Sequence, residues 1–360
     1  MSDTSRRSGD AIPKIDIAAL FGGRTAARDA VDREIHDAAL AIGFMTVTGL
    51  PDRLAVGERA RRDLLRFFSL PEAQQRRLWK RNFAPENSNL YRGLFPREAS
   101  PARNRVGYDI GPDLVRDLPL DGDQDLLYER TPLPREQSLP GWRKTAADYY
   151  LAMEEIGGVI LASLSRGLGI DARYFHDAFE GGISTLRLLH YPKRAATEPK
   201  PVDETYYTTY RQRAYEQVAR PHVDSGLLTI LAQCGVAGLQ AQDASGGWLD
   251  VPPDAQGFAI NFGGLLARWT GGGIKATRHR VLGLGEERFS IPFFFEPRAD
   301  AVIAPLPLDG IEPFAPFQFG DHLWATTTKF PENFGLGYLR PPRAAYSDPI
   351  TDSTTGPITV

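Results

Sequence analysis

An α+β fold with a mainly β core is predicted for this chain of 360 residues by three observations. Helical periodicity is confined to roughly the first half. From about Ile183 onward the texture changes to short apolar, β-branched runs cut by glycine and proline: "STLRLLHYP", "GLLTILAQ", "GWLDVPP", "FAINFG", "HRVLGLG", "RFSIPFFF" and "AVIAPLP". Short strands at close spacing with turn signals between them indicate a β-sandwich or barrel, here with a helical N-terminal half wrapped around it. Finally, the length allows one large domain or two ordinary ones, and the composition is that of a soluble globular protein.

The elements follow in order. "IPKIDIAALF" reads as a short strand leading into a turn. In "AARDAVDREIHDAALAIGF", Ala27, Val31, Ile35, Ala38 and Ile42 fall at helical spacing, and Gly43 stands where a helix would stop. "FMTVTGL" then reads as a strand. "SLPEAQQRRL" opens with Ser69 and has Glu72 three positions on, a capping-box pattern for a second helix. A longer helix is expected from about Trp142 to Leu168, with Asp171 capping a short one after it.

The expected organisation is a flexible tail over 1–10, a single domain over 11–345 and a proline-rich polar tail over 346–360. Within the domain, 11–180 is mostly helical, 181–310 is the β core and 311–345 closes it. Lysine plus arginine number 42 against 45 aspartate plus glutamate, a net charge of −3. Such a balance gives no strong field toward nucleic acid or an anionic membrane and points to a small-molecule partner. No apolar stretch approaches the roughly 18 to 20 residues that span a bilayer. Cys234 is the only cysteine, so no intrachain disulfide is possible and a cytoplasmic location is expected.

In "RPHVDSGLLT", His222 and Asp224 stand two apart at the mouth of an expected strand and so project from one face. Alone, such a pair is weak evidence for a metal site and favours the bland readings, a buried hydrogen-bonded couple or a surface accident. His279 opens the run "HRVLGLG" on another expected strand of the same core. Two histidines and one carboxylate with positions left open suit a non-haem Fe(II) site, whereas a closed structural zinc site would more often use cysteines. Nine residues after His279, "RFS" places Arg288 and Ser290 on one strand face. The arginine fork binds a carboxylate with two parallel hydrogen bonds, and a serine hydroxyl beside it can add a third. Tyr191, in "LLHYP", can supply a phenolic donor to the same carboxylate, although a strand tyrosine is often simply core.

These residues, in this order, resemble the isopenicillin N synthase-like family of Fe(II)- and 2-oxoglutarate-dependent oxygenases. The segments "AIGFMTVTGLP", "FFSLPEAQ", "YDIGPD", "RPHVDSGLLTILAQ", "NFGGLLARWTGGGIKATRHRV" and "RFSIPFFFEP" extend the resemblance over roughly residues 12 to 305. It implies a double-stranded β-helix, a jelly-roll and cupin-like fold, with flanking N-terminal helices. It implies His222, Asp224 and His279 as iron ligands, with Arg288, Ser290 and Tyr191 binding the far carboxylate of 2-oxoglutarate. Fe(II), 2-oxoglutarate as cosubstrate and O2 would be used to hydroxylate or desaturate a small organic metabolite, releasing succinate and CO2. One alternative is an Fe(II) oxidase of the isopenicillin N synthase type that does not use 2-oxoglutarate. A second is a non-catalytic, ligand-binding β-barrel.

Two departures stand out. Where the family usually has Asn-x-Gly-Asp, this chain has Asn261, Phe262, Gly263 and Gly264, so a turn or supporting contact is expected to differ; Leu189 replaces an asparagine often found two positions before Tyr191. From Pro192 to His222 the chain also carries a long tyrosine-rich insertion, read as a loop that forms either a substrate-selecting lid or a surface or dimer contact. Candidate substrate-pocket residues are Tyr91, Arg92, Tyr206, Tyr207, Tyr210, Pro292 and Phe294, the last two continuing the Arg288 face while Phe293 and Phe295 point to outer packing. His36, His176, His190 and His322 are assigned to surface or packing, and the protein is expected as a monomer or weak homo-oligomer.

Overall fold

A computed structural model describes residues 11–97, 105–119, 125–193, 204–343 and 346. The expected tail 1–10 and, apart from Tyr346, the expected tail 346–360 lie outside the described residues.

The strands are β1 (Lys14–Asp16), β2 (Phe44–Thr48), β3 (Gly93–Phe95), β4 (Val106–Ile110), β5 (Thr185–Tyr191), β6 (Tyr207–Tyr210), β7 (Arg213–His222), β8 (Leu228–Ala232), β9 (Leu239–Gln242), β10 (Trp248–Asp250), β11 (Phe258–Phe262), β12 (His279–Gly283), β13 (Arg288–Phe295), β14 (Val302–Ile303) and β15 (Phe317–Gln318). The helices are α1 (Ala26–Ala41), α2 (Glu58–Leu65), α3 (Glu72–Arg76), α4 (Trp142–Gly167), α5 (His176–Phe179), α6 (Gly264–Trp269) and α7 (Phe319–Thr327). An eight-stranded sheet runs β1-β2-β11-β8-β13-β5-β4-β3 and a five-stranded one β10-β9-β12-β7-β6.

The two sheets face each other as the halves of a double-stranded β-helix. Phe44, Ala259 and Leu231 of the large sheet pack against Leu239, Ala241 and Val281 of the small one. The helices cover the opposite face of the large sheet, where Phe293 meets Tyr150 of α4 with ring centroids 5.1 Å apart. Gly157 makes this close approach possible: a Cβ there would stand 2.5 Å from the Phe295 ring. Phe293 and Phe295 therefore point outward, and alternation sends Arg288, Ser290, Pro292 and Phe294 inward.

Helix α1 ends as its pattern predicts, with Gly43 at φ +64° and its amide on the Ala38 carbonyl at 2.9 Å. Helix α4 occupies the span expected for it. Other details differ from expectation. Ser69 caps nothing; its hydroxyl donates back to the Arg66 carbonyl, because the chain turns through a 3-10 segment there and α3 begins after Pro71. Asp171 accepts from the Arg173 amide and so stabilises the turn before α5, not the helix itself. The insertion is not an undivided loop: beyond 194–203, which lie outside the described residues, it forms the β6–β7 hairpin, whose β7 extends to His222. The run "AVIAPLP" leaves the core, since β14 pairs only with β15 in a separate two-stranded sheet. The N-terminal part also contributes β1 to β4 to the large sheet, paired with β11 and β5.

Candidate active site

Antiparallel pairing sets His279, the first residue of β12, directly opposite His222, the last of β7. Asp224 follows two residues beyond. The Nε2 atoms of His222 and His279 each lie 3.7 Å from Asp224 Oδ1, and the three side chains each offer one ligand atom within 4.8 Å of the others.

The backbone and neighbouring side chains fix which atoms face inward. His222 Nδ1–H donates to the Arg220 carbonyl at 2.7 Å and His279 Nδ1–H to that of Thr277 at 3.1 Å, which leaves both Nε2 lone pairs free. Asp224 Oδ2 accepts from the Thr229 hydroxyl at 2.6 Å and the Asn261 amide at 2.8 Å, which leaves Oδ1 free. Burial, reinforced by the charge of His279, pushes the His222 pKa down to about 4. Burial alone would raise Asp224, but the two imidazoles, Thr229 and Asn261 outweigh it and hold the carboxyl below its ordinary range. A neutral His222 and an ionised Asp224 are in the protonation states that bind a divalent metal. Two nitrogens and one oxygen, with no thiolate nearby, suit non-haem iron.

Asn261 and Thr229 were not anticipated as functional, although Asn261 heads the segment where the family pattern breaks. Gly263, two residues on, is required because a Cβ there would stand 2.1 Å from the Gly226 carbonyl oxygen. The amide of Gly264, where a family carboxylate is missing, donates to the Asp224 backbone carbonyl at 2.7 Å.

Arg288 stands opposite Tyr191 across the β13–β5 ladder, with its guanidinium 5.3 Å from the phenol ring. It is 4% exposed, Ser290 beside it is equally enclosed, and Arg288 Nε and Nη2 are buried without a hydrogen-bond partner. Burial lowers the Arg288 pKa, partly offset by Tyr191. Two unpartnered N–H groups of a guanidinium inside a barrel are expensive unless an anion completes them. A carboxylate fits those two donors.

The resemblance noted above can now be set beside direct comparisons. The 2OG-Fe(II) oxygenase superfamily matches residues 185–297, and the N-terminal family of non-haem dioxygenases in morphine synthesis matches 12–134. The 2-oxoglutarate-Fe(II) type oxidoreductase hxnY of Emericella nidulans is 31% identical over 304 residues, 82% of either chain. The chain belongs to the 2OG-Fe(II) oxygenases. It is an Fe(II)- and 2-oxoglutarate-dependent dioxygenase of the isopenicillin N synthase-like group, using O2 to oxidise a small organic molecule. Isopenicillin N synthase of Streptomyces clavuligerus is 28% identical, covering 83% of this chain and 88% of that one. A full-length Neurospora crassa protein, solved in complex with α-KG and 5-formyluracil, is 25% identical with a TM-score of 0.71, covering 90% of the oxygenase and 98% of the Neurospora chain.

The remaining sequence candidates separate into two groups. Phe294 is half-buried on the inner face, level with Thr229 of β8, and Pro292 is buried beside it. Arg187, on β5, lies 5.5 Å from the Phe294 ring centroid. It donates to Asp109 at 2.5 and 3.0 Å and to Glu332 at 2.8 Å, while Lys80 binds Asp109 at 2.8 Å and Asn333 at 3.0 Å. No local pattern marks this buried ion network, which ties β4, β5 and the closing segment together. Tyr91 and Arg92 are buried beside it. Arg92 is not a solvated arginine: it donates to Thr185 and the Ile183 carbonyl and stacks on Tyr91, 4.6 Å from its centroid.

The tyrosines of the hairpin diverge. Tyr206 stacks under Arg220, two residues from His222, with 5.0 Å to the guanidinium. Tyr207 pairs with Glu216 in the hairpin ladder. Tyr210 does not face the cluster: its hydroxyl donates to Asp250, and it lies 5.9 Å from Arg280, whose side chain points to the opposite face of β12 from His279. His322 is packing as expected, but fully buried; its Nε2 donates to the carbonyl of Ser225, next to Asp224.

Proposed function

We propose that His222, Asp224 and His279 hold the iron of this oxygenase, that Arg288, Ser290 and Tyr191 hold the far carboxylate of 2-oxoglutarate, and that substrate lies against the inner-face side chains, Phe294 among them. The observation that carries this reading is that three converging ligand atoms at the ends of β7 and β12 of the small sheet look across the space between the sheets toward β13 of the large one, where Arg288 keeps two buried, unpartnered N–H groups. When iron, 2-oxoglutarate and O2 are bound, the group supplies a two-electron oxidation of substrate coupled to conversion of 2-oxoglutarate to succinate and CO2.

The chain's own residues do the positioning. Thr229 and Asn261 clamp Asp224 Oδ2 so that Oδ1 faces the imidazoles, and the Arg220 and Thr277 carbonyls fix both ring orientations. Arg288 sets the far end of the cosubstrate, and the apolar walls of Pro292 and Phe294 exclude water from the reacting centre. A single cysteine suits a reducing cytoplasm, and a monomer or weak homo-oligomer is the expected state, read by light scattering. Thymine, bound to the Neurospora crassa protein in another of its structures, is a rational first compound for a succinate-release screen. The experiment that tests the site is substitution of His279 by alanine: loss of ferrous iron binding and of 2-oxoglutarate-dependent O2 uptake is expected, and retention of both would overturn the assignment.

A further inference from the structure

Glu296 follows β13 by one residue and is 5% exposed, with Oε2 buried and without a hydrogen-bond partner. Alternation along the strand puts it on the inner face after Arg288, Ser290, Pro292 and Phe294. The strand register fixes its level. Phe294 pairs with Thr229, the residue that clamps Asp224, and Phe295 with Leu228, so Glu296 lies one step further, level with Leu227 and next to Gly226. A Cβ on Gly226 would stand 3.3 Å from Glu296 Oε1. Arg288 and Glu296 thus sit at opposite ends of one strand face, with the level of the proposed iron ligands near the Glu296 end. On the proposed reading cosubstrate is held from the Arg288 end, which leaves Glu296 at the opposite end of that strand face.

A buried carboxyl oxygen with no donor is destabilising, and native structures contain few of them. Arg92 is close enough to act on its charge, but its Nη1 and Nη2 donate to Thr185 and the Ile183 carbonyl, and its buried Nε makes no hydrogen bond, to Glu296 or to any other group among the described residues. Groups retained at such a cost concentrate at functional sites. We propose that Glu296 is a specificity-determining residue, accepting a hydrogen bond from a ring N–H or O–H of a planar, uncharged substrate seated against Phe294. This rests on the reading of His222, Asp224 and His279 as the iron site. The flanking guanidiniums of Arg92 and Arg187 disfavour a cation at this point. Burial raises the Glu296 pKa to about 8 against the pull of those arginines, with Asp224 adding to the rise. The carboxyl is therefore largely neutral at pH 7 and does not select a charged group. Both of its protonation states accept a donor.

The test uses the full chain, anaerobic and loaded with Fe(II) and 2-oxoglutarate, titrated with four probes: 2-pyridone, N-methyl-2-pyridone, phenol and anisole. Binding is read as a change in the visible absorption of the iron–2-oxoglutarate complex. The expected result is that a donor-bearing probe binds at least about tenfold more tightly than its methylated partner; which pair shows the ratio tells N–H from O–H recognition. Glu296→Met should bring that ratio near one while 2-oxoglutarate still binds, and Glu296→Gln, which keeps an acceptor, should preserve it. The metal-free Glu296→Met protein should melt no lower than the parent, because it loses an unsatisfied polar group. Equal affinities within both pairs, no binding of any probe, an unchanged ratio in Glu296→Met, or a lower melting temperature of that variant would overturn the proposal. Absence of the starting absorption, seen before any probe is added, would instead sink the underlying iron reading and this proposal with it.

Discussion

Replacing Arg288 by methionine removes the guanidinium while keeping an unbranched side chain of similar reach. In the parent, Nε and Nη2 are buried and unpartnered, so both are available to one carboxylate. Removing one partner of a buried, hydrogen-bonded charge pair costs about 2–5 kcal/mol. At about 1.4 kcal/mol per factor of ten, 2-oxoglutarate affinity should fall by about 30-fold to a few thousand-fold. Iron binding should persist, because no iron-facing atom depends on Arg288. The metal-free variant should unfold at the same temperature or higher, since an uncompensated buried cation has been replaced by an apolar group. Anaerobic equilibrium dialysis of labelled 2-oxoglutarate against the Fe(II)-loaded protein gives the affinity directly. An affinity within about threefold of the parent, under 1 kcal/mol, would refute the clamp.

Three further outcomes are expected. The His222 pKa is depressed to about 4 against an ordinary 6.5, so between those values the unfolded chain binds more protons than the folded one. Metal-free protein should therefore lose stability as pH falls from about 7 toward 4, measurable as a declining melting temperature; a flat or rising profile would contradict the burial argument. Changing Asn261 to alanine or Thr229 to valine frees Asp224 Oδ2 and should weaken ferrous binding by about 10- to 100-fold, read by competition with a chromophoric chelator. Lys80→Met leaves Asp109 with Arg187 as its remaining hydrogen-bonded cation and strips Asn333 Oδ1 of its donor. A loss of about 3–5 kcal/mol in denaturant unfolding is expected, and a loss under about 1 kcal/mol would show the network to be dispensable.

The residues legible in sequence were those whose meaning is carried by local period. Helices α1 and α4 follow from apolar spacing, and the inward face of β13 from strict alternation past Arg288. His222, Asp224 and His279 could be grouped because only six histidines exist and two of them open or close expected strands. What could not be read depends on which strand lies beside which. Asn261 and Thr229 meet Asp224 through the β11–β8 pairing. Lys80, Asp109, Arg187 and Glu332 come from four distant segments, each of which looks like an ordinary surface charge in isolation. The β6–β7 hairpin was read as a loop because its strands are polar on both faces, so no alternation marks them. Tyr210 was grouped with Tyr206 by proximity in sequence, whereas the hairpin carries it to the Arg280 face. Ser69 and Glu72 match a capping box, but Pro71 between them starts the helix later.

The central claim is that the space between the two sheets holds iron and 2-oxoglutarate together, iron from the small sheet and the far carboxylate from the large one. The most direct measurement is anaerobic titration of the Fe(II)-loaded protein with 2-oxoglutarate, followed by its weak visible charge-transfer absorption. The account predicts a saturable band that is lost in His279→Ala and shifted to much higher concentration in Arg288→Met. Bound iron with no such band at saturating 2-oxoglutarate would contradict it.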